Sequence, residues 1–393
     1  MAAKSNKFGL VVDNNLQATA ALLLLADRPY LDILVTPRSK FTEAVAAKIT
    51  GAGYTINNPD GELIYAATTP SGAVQGSITL LTSGSTGVPK LVRHSLDTLF
   101  TARRARKDQS RRWLVPYQTA SYAWYQLVTQ GMFGTDQHIV FSNEEDLQRV
   151  FKQAAILRVD SISATPTFWR LALLQLPDDI LSSVPLSLIA LGGEFVDQSI
   201  LDQLVAMYPG ADVVHIYAST EAGACVVVKD KKAGFPASVL QRRDPRLPSV
   251  RIKEGQLQVK SPYAGKAYDK AQTSDNPWIE TGDLVEQRDN RIHFCGRADR
   301  ALINVGGSKA FPADIEAVIQ KHPSVTWCRV RSVRAPLVGN LPEADLVLKH
   351  GCETVSELEL NQFCAAGLPE YAIPRFWNFL LSIPISNSLK SEL

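Results

Sequence analysis

Strand-length apolar runs alternate with helix-length amphipathic stretches from about residue 78 to about residue 217, and no other feature narrows the possible folds as much. Strand signals fall at Ile78–Leu81, Trp113–Val115, His138–Phe141, Ser161–Ala164, Leu188–Leu191 and Val213–Tyr217. Helical spacing occupies Leu96–Arg106, Glu144–Leu157, Phe168–Leu176 and Gln198–Tyr208 between them. Strands separated by helices predict an α/β domain with a mainly parallel sheet. Such sheets carry their ligands on loops beyond strand ends. The run Thr82-Ser83-Gly84-Ser85-Thr86-Gly87-Val88-Pro89-Lys90 follows the first of these strands. Its glycines let backbone N–H groups turn toward an anion, its hydroxyls add short donors, and Lys90 adds a full positive charge. The run therefore reads as a phosphate cradle. Val88-Pro89 separates Gly87 from Lys90, whereas a Walker loop needs Gly-Lys-Ser/Thr in succession, so a P-loop NTPase is disfavoured.

The 393 residues suffice for two or three domains, each with its own core. With 41 basic against 39 acidic residues, net charge is +2 and no Lys/Arg run has the footprint of a nucleic-acid binder. The cluster Arg103-Arg104-Ala105-Arg106-Lys107 with Arg111-Arg112 reads as a solvated helix face. No apolar run reaches the roughly 20 residues of a spanning helix, so no membrane partner is expected, and Ala20–Ala26 reads as a buried helix. Five cysteines, scattered and never in C-x-x-C spacing, indicate neither a disulfide framework nor a zinc site and suit the cytoplasm.

Beyond about residue 245 the texture changes to hairpins. Val250–Lys253 and Gln256–Lys260 flank Glu254-Gly255, and Leu284–Gln287 and Arg291–Cys295 flank Asp289-Asn290. After Gly296-Arg297 the pattern restarts with a strand at Ala301–Val305, a helix at Pro312–Lys321, strands at Val325–Val333 and Asp345–Leu348, and a helix at Ser356–Ala365. The predicted organisation is a large α/β domain over 1–298, with a β-rich subdomain over about 245–298, and a small mobile α+β domain over 299–393.

Further motifs follow the cradle in order: Leu191-Gly192-Gly193-Glu194, Tyr217-Ala218-Ser219-Thr220-Glu221, Thr281-Gly282-Asp283, Gly296-Arg297-Ala298-Asp299 and Pro384-Ile385-Ser386-Asn387-Ser388-Leu389-Lys390. Together they resemble the adenylate-forming superfamily of acyl- and aryl-CoA synthetases, peptide-synthetase adenylation domains and luciferases, from about residue 77 to the C-terminus. That resemblance implies ATP and Mg²⁺ as cofactors. Residues Thr82, Ser83, Gly84, Ser85, Thr86, Gly87 and Lys90 would hold the leaving phosphates. Gly193 and Glu194 would lie beside adenine, and Tyr217 would stack on it. Thr220 would bond the α-phosphate, and Glu221 would hold Mg²⁺, as suits a hard carboxylate oxygen. Asp283 would accept the ribose hydroxyls, Arg297 would contact ribose or phosphate, and Asp299 would be the hinge. Lys390 would stabilise charge during adenylate formation, which makes Lys390, Thr220 and Glu221 the catalytic set.

By the same resemblance, Tyr122, Trp124 and Gly192 would line the acid pocket, and Gly307 the entry of a CoA or phosphopantetheine thiol. The implied activity is conversion of a carboxylic acid, aryl or small acyl, to an acyl-AMP with release of pyrophosphate, then transfer to CoA or an acyl carrier protein. Two alternatives stay open: a ligase that stops at the adenylate or loads only a carrier, and a degenerate nucleotide-binding protein without turnover. Ala218, Asn304 and Leu389 replace the family's Gly, Lys and Gly. About 80 residues precede the cradle, which reads as a truncated N-terminal region, with homodimerisation as one way to cover the exposed face.

Overall fold

Two six-stranded sheets, where the strand pattern predicted one, make up most of the N-terminal part. The computed structural model describes residues 6–57, 76–82, 90–101, 109–142, 146–267, 277–298, 302–306, 308–335, 339–352 and 354–384. In the first sheet Thr55–Asn57, Lys7–Val12, Asp32–Pro37 and Ser77–Thr82 run parallel, and Lys90–His94 and Lys266–Ala267 close one edge antiparallel. In the second, Gln137–Val140, Arg111–Leu114, Ser161–Ala164, Leu188–Gly192 and Asp212–Ser219 run parallel, with Gly223–Val228 antiparallel at the edge. Local periodicity reports that a strand exists and says nothing of its partner, so the division into two sheets was not readable.

One core cluster joins the first sheet to two helices and to the second sheet, through residues such as Leu22, Ile33, Leu80, Trp113 and Tyr125. The helix Asn15–Asp27 starts where the Asn14 side chain accepts the Gln17 N–H, and it buries Ala18, Ala21, Leu22 and Leu25. The apolar run Ala20–Ala26 is thus a core helix, as expected. A helix at Tyr122–Phe133, capped by Ser121, went unread because it is buried on nearly every side and so lacks an amphipathic period. Arg111 and Arg112 are not on a helix face: they open a strand, where Arg111 Nη1 donates to the hydroxyls of Ser161 and Ser187, both at 3.1 Å. Of the helix expected at Leu96–Arg106, Leu96–Leu99 is seen and residues 102–108 lie outside the described residues.

Both expected hairpins form within a five-stranded antiparallel sheet, Ser249–Lys253 with Gln256–Lys260 and Ile279–Arg288 with Arg291–Arg297. Their tips, Glu254-Gly255 and Asp289-Asn290, all have positive φ, as the tight turns that match strand twist require. The C-terminal unit has its own sheet, of Ile303–Val305, Ser308–Ala310, Val325–Ala335, Gly339–Leu348 and Phe376–Phe379, packed on helices Pro312–Ile319 and Glu357–Ala365. It docks on the helix Pro166–Gln175 through Leu171, Trp327, Val347 and Ile383. Buried Arg170 crosses this seam, donating to the Thr326 carbonyl (3.0 Å) and Gln320 Oε1 (3.1 Å) while paired with Asp197.

Candidate active site

The second sheet reverses its winding between Arg111–Leu114 and Ser161–Ala164: the chain steps outward to Gln137–Val140, then crosses back to the other side. A crevice beyond the carboxyl ends of the strands at such a reversal is the expected ligand site of a doubly wound sheet. Tyr117, three residues past one strand, reaches Ser163 on the other, hydroxyl to hydroxyl at 3.3 Å. A Cβ built on Gly192 would sit 3.6 Å from the Tyr117 hydroxyl, so Gly192 lies beside this crevice. Burial pushes the Tyr117 phenol well above its ordinary value, so it is a neutral hydroxyl here.

Gly193 follows with φ +85°, a backbone that disfavours side chains, and turns the chain so that Glu194 faces the next loop. The Glu194 carboxylate accepts the Thr167 N–H and hydroxyl, each at 3.0 Å, at the start of the helix Pro166–Gln175. Glu194 is therefore a strut between two loops as well as a wall of a shallow cleft shared with Phe195, Ile216, Tyr217 and Phe294. Tyr217 packs against Phe294 with ring centroids 4.9 Å apart and donates its hydroxyl to Asp283 Oδ2 at 2.5 Å. Burial and the Asp283 charge raise its pKa well above the usual phenol range. Arg297 lies opposite Asp283 in hairpin register and donates to Oδ1 at 3.3 Å. Residues 217, 283 and 297, distant in sequence, thus form one cluster.

Thr220 and Glu221 make the turn between Asp212–Ser219 and Gly223–Val228, and the Glu221 carboxylate has no hydrogen bond or ion pair among the described residues. Thr82 ends its strand in register with Lys90, and its buried Oγ1 lacks a hydrogen-bond partner among the described residues. Lys90 is exposed. Ser83, Gly84, Ser85, Thr86, Gly87, Asp299, Gly307 and Lys390 lie outside the described residues.

One aromatic expectation changes. Trp124 has no exposed surface: its indole N–H donates to Asn15 Oδ1 at 2.7 Å and its ring packs on Tyr125 and Phe141, which makes it a core anchor of the N-terminal helix and takes it away from the acid pocket. Tyr122 is buried beside His94, ring centroids 5.7 Å apart, and its hydroxyl lies 3.1 Å from a Cβ built on Gly223, next to the Thr220-Glu221 turn. The sequence reading overlooked His94, whose Nε2 contacts the Thr220 carbonyl at 2.7 Å. Its only sequence signal is its place four residues beyond Lys90, on the strand leaving the cradle.

The family model described as AMP-binding enzyme matches residues 57–268, more than half of the chain, and that of the AMP-binding enzyme C-terminal domain matches 314–390. The chain belongs to the AMP-binding enzyme family. Among its relatives, the 2-succinylbenzoate–CoA ligase of Bacillus subtilis is 26% identical over 337 residues, 79% of this chain and 66% of that protein. The 4-coumarate–CoA ligase-like 2 of Arabidopsis thaliana is 26% identical over 336 residues, 79% of this chain and 59% of that protein. YdaB of Bacillus subtilis is 27% identical over 277 residues, 65% of this chain and 54% of that protein. This AMP-binding enzyme thus spans about half to two thirds of the length of these relatives. Its fold matches ATP-bound MatB from Rhodopseudomonas palustris with a TM-score of 0.75 at 19% identity, over 97% of this chain and 86% of that one. It also matches Bacillus subtilis o-succinylbenzoate CoA synthetase in complex with the acyl-adenylate OSB-AMP, with a TM-score of 0.68 at 20% identity, over 98% and 87% of the two chains.

Proposed function

We propose that the chain activates a carboxylic acid with ATP, forming an acyl-AMP and pyrophosphate, and then passes the acyl group to the thiol of CoA with release of AMP. The observation that carries this reading is a set of three polar features suited to one nucleotide, each at or near the end of a strand. These are a buried Thr82 hydroxyl and a Glu221 carboxylate, each without a hydrogen-bond partner among the described residues, and the Tyr217–Asp283–Arg297 cluster beside an aromatic cleft. The names of the relatives, CoA ligases for 2-succinylbenzoate and a 4-coumarate ligase-like protein, support an aryl acid and CoA.

The residues fit the implied groups. Mg²⁺ is commonly held by one or two carboxylates together with phosphate oxygens and water, which is what Glu221 beside Thr220 offers. When bound, the ion neutralises phosphate charge. Thr82 and Thr220 donate hydroxyls to phosphate oxygens, and Tyr217 and Phe294 flank the base. Asp283 exchanges a protein partner for the ribose, and Arg297, released from it, stays near as a counter-charge. Tyr117 and Gly192 shape the acid pocket at the sheet reversal. Asp299 is the hinge that divides 1–298 from 299–393, Lys390 acts on the developing charge, and Gly307 lines the thiol entry. An acyl carrier protein is the second acceptor of the same chemistry, and homodimerisation the proposed assembly. The cysteines are unpaired, which supports the reducing cytoplasm. Among the described residues no helix is long and apolar enough to cross a membrane.

ATP–pyrophosphate exchange over a panel of aryl, short-chain and long-chain acids, with and without CoA, tests the proposal. Acid-dependent exchange followed by CoA consumption is expected. Bound ATP with no exchange for any acid would overturn it, and exchange without CoA use would point to the adenylate-only ligase.

A further inference from the structure

His94 is almost wholly buried, and no role falls to it in the chemistry above. A carbonyl only accepts, so the 2.7 Å contact with Thr220 O requires the proton on Nε2. The opposite nitrogen, Nδ1, lies 3.1 Å from Thr98 Oγ1, and that hydroxyl is held in turn by the Ser95 N–H at 3.0 Å in a capping box. The second carbonyl of the same turn, Glu221 O, accepts the Gly265 N–H at 2.9 Å. Gly265 passes so close over the ring that a Cβ there would come 2.5 Å from His94 Nε2. Both carbonyls of the Thr220-Glu221 turn are thus tied down, one of them by a side chain on the strand that leaves the phosphate cradle.

We infer that His94 is a positioning residue for the magnesium–nucleotide site. Its Nε2–H fixes the Thr220-Glu221 turn, so that the Glu221 carboxylate and the Thr220 hydroxyl meet the metal-bound triphosphate without reorganisation. The inference rests on the role proposed above for Glu221. Outer partners of this kind orient a metal ligand, and their loss commonly lowers metal affinity 10- to 100-fold. The tie also joins two sheets, because His94 lies in the first and Thr220 in the turn between two strands of the second.

The test is calorimetric titration of the full chain with ATP, once with Mg²⁺ and once with EDTA, for the wild type, His94→Gln and His94→Phe. The ratio of the two affinities is a binding readout independent of turnover. Gln presents an N–H near the position of Nε2 and should keep the ratio within about threefold of wild type. Phe keeps the ring without the donor, and should cut the ratio at least tenfold while leaving metal-free ATP affinity within about twofold. An unchanged ratio in His94→Phe, or equal losses in both variants, would overturn the inference and leave His94 as core packing. Should His94→Phe not fold, Thr98→Val removes the hydroxyl that orients Nδ1. It should lower the ratio about threefold or more, and an unchanged ratio would again overturn the inference. A wild-type ratio of one would instead remove the proposed Glu221 role, and the positioning role with it.

Discussion

Arg170→Ala should loosen the C-terminal unit from the large domain without unfolding either core. Arg170 is 5% exposed and reaches the Thr326 carbonyl, Gln320 and Asp197, the first two across the seam. Removing one partner of a buried pair costs about 3–5 kcal/mol, since the other charge stays buried without compensation. Here Asp197 is 24% exposed and still accepts the Ile200 N–H at 3.2 Å, so its stranded charge is partly hydrated and the low end applies. The share that acts on docking comes from the two bonds across the seam, to Thr326 and Gln320, at about 1.5 kcal/mol each for a bond to a charged group and about 3 kcal/mol together, because Asp197 lies on the same side of the seam as Arg170. At about 1.4 kcal/mol per decade, docking shifts roughly 100-fold toward the released state. Trp327, 4% exposed within the seam, is the reporter. In urea, the variant should show an early transition with a red-shifted Trp327 emission, identified by subtracting a Trp327→Phe background, ahead of the main unfolding. Arg170→Lys keeps the charge but not the fork geometry, and should lie between, at about 1–1.5 kcal/mol. A single transition for Arg170→Ala with a wild-type midpoint would refute the reasoning.

Thr82→Val removes, at nearly constant volume, a buried hydroxyl that has no hydrogen-bond partner among the described residues. It should raise the KM for ATP in pyrophosphate exchange about tenfold with the melting temperature held or slightly raised, because no hydrogen bond among the described residues is lost. Trp124→Phe should cost about 1–3 kcal/mol in urea melts by stranding part of the Asn15 carboxamide, and should leave the KM for the acid unchanged. A large change in that KM would return Trp124 to the pocket. Burial pushes the Cys225 thiol up to about 12 and the Cys364 thiol to about 11, and raises Cys328 well above the usual range. In the native protein at pH 8 these three should therefore resist iodoacetamide while partly exposed Cys352 reacts first, as peptide mapping would show. Gly265→Ala should destabilise the fold by at least 1 kcal/mol, because its Cβ would press on the His94 ring and on Val92.

The candidate site residues were legible because the jobs proposed for them demand particular atoms in short local patterns. A carboxylate follows a threonine at Thr220-Glu221, and Thr281-Gly282-Asp283 lies in the strand whose hairpin brings Arg297 opposite Asp283. Strand positions in the parallel region and both hairpin turns were equally local, set by runs of apolar residues and by Gly, Asn and Asp at positive φ. Trp124 shows the limit. Its local setting, Ala120-Ser121-Tyr122-Ala123-Trp124, contains nothing to separate a pocket wall from a core anchor, and its partner Asn15 is 109 residues away.

By itself the sequence determined the α/β class, the order of the candidate nucleotide-site motifs, the hairpins and the α+β unit at the C-terminal end, all of which depend on neighbours a few residues apart. Only the tertiary structure decided the rest. It split the strands into two sheets, placed Tyr117 at the reversal of one of them, and satisfied Asp283 from two directions. It also seated the C-terminal unit on Arg170 and tied His94 to Thr220 across 126 positions of chain. Each of these is a contact between groups that must leave water and find a partner, and that partner is fixed by how whole layers pack.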